Sequence, residues 1–172
     1  MTDHRPEPPP HGVILVGVAK DLADAVLIVA SRLAADLGCD LVCATVDPNR
    51  YAVAEDNDGT VHSVPIDPDL PEFDEDVFDP ALTQRIEKLL SGTGVSWSPR
   101  TLAGDPARAL GHLAEKLDAR MIVVGTHEAG LRTSMREFFR SSVAVHLAHR
   151  QHRPVLVVPL SPVDDGRALP WE

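Results

Sequence analysis

Aromatic residues are scarce in this 172-residue chain, which holds four Phe, two Trp and one Tyr. Its core must be built from Val, Leu, Ile and Ala, within a hydrophobic content of 44% that is usual for globular chains. Basic residues are also few, 16 Lys and Arg against 26 Asp and Glu, for a formal net charge of -10. That balance excludes a general nucleic-acid binder, which needs a basic face. It equally excludes adhesion to an anionic membrane. No apolar run approaches the roughly 18 residues that a spanning helix needs. Cysteine occurs twice, at Cys39 and Cys43. Four apart in a strand-like stretch, the two point to one face and read as small buried hydrophobes rather than a disulfide. So few cysteines fit a reducing compartment. The opening residues 1–11 carry four prolines and no apolar segment, so they read as a disordered arm and not a signal peptide. A cytoplasmic protein is expected.

The acidity is local. From Glu55 to Asp79 there are ten Asp or Glu and no Lys or Arg, and elsewhere the remaining acids balance the bases. Residues 48–78 read as an acidic insert forming a long surface loop, with the turn signal Asn57-Asp58-Gly59 and several prolines. Within it, Val61, Val64 and Ile66 are candidates for a brief edge strand. No EF-hand spacing of ligands is present.

Around the insert, strand and helix patterns alternate. Gly12 to Ala19 is a continuous apolar run, as in a strand buried on both faces. From Asp21 to Leu37 apolar residues recur at three- and four-residue steps, predicting a helix that Gly38 stops. Strands are expected at 40–46, 95–102, 121–124 and 155–158, and helices at 81–90, after Pro106, and from Ser141 or Ser142 to about Arg150. Asp79-Pro80 and Asp105-Pro106 are helix starts, each with an acidic cap and a proline in the first turn. This alternation predicts one domain over residues 12–160, with a tail from 161. Its fold class is α/β, a doubly wound five-stranded parallel sheet of order 3-2-1-4-5 with helices on both faces. Ligands of such sheets sit beyond the carboxyl ends of the strands where the winding reverses, here after strands one and four.

In these stretches the chain resembles the universal stress protein family. The carriers are ILVGVAK at 14–20, GDPARAL at 104–110, MIVVGTHE at 121–128 and SSVAVHLAHRQHRPVLVVP at 141–159. The resemblance implies a cytoplasmic α/β domain that is usually dimeric and in some members binds ATP. Nucleotide-binding members carry Gly-x-x-Gly, nine residues, then Gly-Ser/Thr, the last part presenting backbone N–H groups and a hydroxyl at a helix N-terminus. Gly125 matches the first glycine, and Thr126 and His127 follow it. Glu128 stands at the second, with Gly130 a shifted substitute. Ser141 replaces the third glycine after a loop three residues longer than the family spacing, Ser142 matches the Ser/Thr, and Val143 follows. Where the family ends strand one with an Asp-Gly-Ser-like turn, this chain has Ala19, Lys20 and Asp21. Asp47, after Val46, keeps the family's acidic position behind strand two.

Glu128 opposes a phosphate by charge, and Ser141 adds a Cβ where backbone must come close. Lys20, Arg132, Arg136 and Arg140 are either compensating cations or a solvated basic face. Two readings follow. The first is a dimeric, non-enzymatic stress-response module with a degenerate nucleotide cleft. The second is a member that binds ATP, with or without slow hydrolysis. The dimer is expected to pair through the last strand, Val155, Leu156, Val157 and Val158. No catalytic residue and no metal site is assigned. His146, His149 and His152 drift around their helix, His127 has no evident nucleophile or base partner, and no Walker loop, Gly-x-Ser-x-Gly elbow or dinucleotide fingerprint occurs.

Overall fold

The computed structural model describes residues 11–19, 24–67, 77–126 and 143–160. The proline-rich stretch up to residue 10, residues 20–23, the acidic run 68–76, residues 127–142 and those from 161 lie outside the described residues.

Five strands form a parallel sheet: β1 (Gly12–Gly17), β2 (Cys39–Asp47), β5 (Trp97–Ala103), β6 (Met121–Gly125) and β7 (Val155–Val158). Their order is β5-β2-β1-β6-β7, with Ile14 facing Leu41 on one side and Met121 on the other. Counting only these five in chain order, this is the expected 3-2-1-4-5. Side chains alternate across β1, so each face buries its own set. Ile14 and Val16 join a cluster with helices α1 (Asp24–Leu37) and α2 (Pro80–Leu90), through Val26, Leu27, Ile86 and Leu90. Val13 and Leu15 join a second cluster with helices α3 (Pro106–Lys116) and α4 (Val143–Arg150), through Leu110, Leu113 and Leu147. Helices as short as the eight residues of α4 are marginal alone in water, and Leu147, fully buried, anchors this one. Cys39 and Cys43 are both free, and both sit in the first cluster.

The acidic insert differs from the long loop expected. It contains an antiparallel hairpin of β3 (Arg50–Glu55) and β4 (Val61–Pro65), separate from the main sheet. So Val61 and Val64 do lie in a strand, but they pair with β3 rather than with a sheet edge. The turn between them is closed by Asp56 N–H donating to Thr60 O at 2.8 Å and by Thr60 N–H donating to Asp58 Oδ1 at 2.9 Å. Gly59 takes φ 85° there, and a Cβ on it would stand 2.6 Å from Leu113 Cδ1. The positive φ favours glycine, and any larger residue would also have to displace the end of the Leu113 side chain. At the base, Ile66 N–H donates to Asn49 O at 2.9 Å. Arg50 is buried and donates to Ser63 twice, Nε to Oγ and a terminal nitrogen to the carbonyl, both at 2.8 Å.

Candidate functional site

The winding reverses at β1, which lies between β2 and β6. Val16 pairs with Val123 and Gly17 with Ala44, so the last residues of β2 and β6 rise beside Val18 and Ala19. Val18 N–H donates to Ala44 O at 2.8 Å, which keeps the chain against β2 as it leaves the strand, and Ala19 is exposed. The described rim of this crevice therefore comprises Ala19, Val46, Asp47, Gly125 and Thr126. Val143, half-buried, opens α4 and packs on the α3 face of the sheet. Lys20, His127, Gly130, Ser141 and Ser142, the other residues expected here, lie outside the described residues.

Both polar side chains on the described rim take part in internal hydrogen bonds. Asp47 accepts Asn49 N–H at 2.8 Å through Oδ1, a side-chain-to-backbone turn that launches the hairpin. Its carbonyl accepts Gly104 N–H at 2.9 Å, joining β2 to the start of α3. Thr126 N–H donates to Val158 O, and its hydroxyl accepts Leu160 N–H, both at 2.9 Å. Gly125 is closely approached: a Cβ there would stand 3.0 Å from Val26 Cγ2 and 3.1 Å from Leu160 Cδ1, tighter than ordinary contact. Gly125 and Thr126 are thus engaged by the protein's own α1 and by the residues after β7.

A second polar cluster joins the hairpin to α3, and nothing in the sequence foretold it. Glu55 meets His112 Nε2 at 2.8 Å and Lys116 Nζ at 3.1 Å. Lys116 also donates to Asp56 O, and His62 lies 3.1 Å from Asp56. Arg100 reaches Asp58 O at 3.3 Å. Partial burial pushes the Glu55 carboxyl up, but hydrogen bonds and charge from His112 and Lys116 outweigh this and hold it below the usual carboxylate value. Asp58 is also lowered, chiefly by the Thr60 N–H. The one signal available was that His112 and Lys116 stand four apart on a helix, hence on one face. Nothing in the spacing pointed to Glu55. Among the described residues no group of three His, Cys, Asp or Glu could hold a metal.

The family model named universal stress protein family matches residues 11–159. The chain belongs to the universal stress protein family. Solved universal stress proteins share its fold. One, in complex with cAMP, is 21% identical with a TM-score of 0.58, over 88% of this chain and 98% of that one. Another, from Archaeoglobus fulgidus in complex with dAMP, is 20% identical with a TM-score of 0.56, over 86% and 98%. A third, from Burkholderia pseudomallei, is 23% identical with a TM-score of 0.52, over 87% and 96%. No curated protein sequence matches the chain. As a universal stress protein it has its crevice where the doubly wound sheet dictates. Among the described residues no helix is long and apolar enough to cross a membrane.

Proposed function

We propose that this universal stress protein is a cytoplasmic, dimeric stress-response module, a binder rather than an enzyme, whose adenine-nucleotide cleft is degenerate. One observation carries the reading. Of the two described residues that match the phosphate loop, Thr126 has its hydroxyl engaged by Leu160 N–H, and Gly125 is closely approached by Val26 and Leu160 on the side a Cβ would occupy. The sequence adds two departures, a carboxylate at Glu128 and a side chain at Ser141, where the nucleotide-binding pattern has glycine. Like charges in a partly dry cleft cost more than about 1 kcal/mol. The relatives in complex with cAMP and dAMP support adenine as the base such a cleft would take.

Calorimetric titration with Mg·ATP and with AMP tests this on the wild type and on the double variant Glu128→Gly, Ser141→Gly. The wild type is expected to show no saturable binding below about 1 mM, and the double variant to bind at least about tenfold more tightly. Micromolar binding by the wild type would overturn the degenerate cleft and establish the ATP-binding reading. Absence of binding by both would remove adenine nucleotides as ligands.

A further inference from the structure

A groove of about 520 Å³ runs between α3 and the turn from α4 into β7, away from the strand-end crevice. Arg108, His112 and Glu115 line one wall and Arg150, His152 and Arg153 the other. The floor is firm. Gly111 packs on Gln151, whose side-chain amide both donates to Arg153 O and accepts Arg153 N–H, each at 2.6 Å. Arg153 is already committed, with Nε donating to Ala119 O at 2.8 Å and a terminal nitrogen 3.1 Å from Asp118. Arg108 and Arg150 are different. Both are exposed, and neither forms an ion pair with any described residue. In a molecule of net charge -10, two unpaired guanidiniums share one depression.

We propose that this groove is a second binding site, one that takes a small phosphomonoester bearing hydroxyl groups, such as a sugar phosphate. Guanidinium forks match phosphate oxygens bidentately, and a dianion suits two of them. The volume lies in the range of small-molecule sites and exceeds what a bare ion needs, so there is room for a body beside the phosphate. The groove's walls hold no Phe, Tyr or Trp and no large aliphatic side chain, so the body is polar. Glu115 sets its character. It is seven residues beyond Arg108 on α3, two turns along the same face and about 10 Å away along the axis. A carboxylate there repels a second phosphate and accepts hydrogen bonds from hydroxyls. The site is independent of the nucleotide cleft, since it shares no residue with it.

Titration at fixed ionic strength with glucose 6-phosphate, inorganic phosphate and glucose tests the proposal. Saturable binding of glucose 6-phosphate is expected, tighter than inorganic phosphate, with glucose not bound. Arg108→Ala and Arg150→Ala should each weaken it about tenfold or more, and Arg108→Lys should fall between. Glu115→Ala should weaken glucose 6-phosphate while sparing inorganic phosphate. Lys88→Ala, an exposed cation on α2 across the sheet, should change nothing. The Glu128→Gly, Ser141→Gly variant should bind like the wild type, which keeps failure here distinct from failure at the cleft. No saturable binding, or arginine variants indistinguishable from Lys88→Ala, would overturn the site. Equal affinity for inorganic phosphate and glucose 6-phosphate would overturn the ligand class.

Discussion

Glu55 shows how much one carboxylate can join. It bridges the hairpin to α3 through His112 and Lys116, and both contacts hold its proton affinity down. A carboxyl with a lowered folded-state pKa stabilises the fold fully above its ordinary value of 4.5 and loses that contribution as pH falls through the lowered value. Urea unfolding followed from pH 7 downward should therefore show an acid limb that Glu55→Gln flattens, with the variant about 1 kcal/mol or less below the wild type at pH 7. An unchanged acid limb in the variant would refute this account. Cys43 makes the opposite point: burial pushes its thiol up to about 12, so it serves packing. Its partner in the same core layer, Cys39, was readable from a four-residue spacing in a strand.

Among the elements, the helix starts announced themselves most plainly. Asp105 accepts Arg108 N–H at 2.9 Å ahead of Pro106, and Asp79 accepts Ala81 N–H at 2.8 Å ahead of Pro80. Asp-Pro before an apolar stripe states cap and first turn together, so both were visible beforehand. Asp105→Ala should lower the urea midpoint by an amount worth about 1 kcal/mol without changing the slope, and Asp105→Asn should recover most of it. The hairpin was unreadable for a physical reason. Along β3 only Arg50 is buried and the rest is exposed, so no alternation of apolar and polar residues marks a strand. The one buried residue is charged, and the Ser63 that it hydrogen-bonds lies thirteen positions away. The turn at Asn57-Asp58-Gly59 was visible, but its flanks lacked the pattern that would have made it a hairpin.

The whole molecule follows from alternation of strand and helix, which set the sheet order and the place of the crevice before any contact was known. The side chains on the rim were harder to read. Gly125 and Thr126 were marked by motif alone, and their engagement by Val26 and Leu160 is tertiary. Assembly belongs to this scale as well. β7 is an edge of the sheet, and Val157 on it is 40% exposed. If copies pair there, light scattering will give a dimer, and Val157→Lys will weaken it about tenfold or more. A wild-type monomer at about 100 µM, a hundredfold above a micromolar affinity, would exclude that pairing. The hairpin leaves the fold after Asn49 and returns at Ile66, and one hydrogen bond ties the two. Departure and arrival coincide, so the hairpin has a neck, while Glu55 and Asp56 near its turn hold it to α3. Trimming or extending it at that neck would alter what α3 wears on its outer surface while leaving the wiring of the sheet intact.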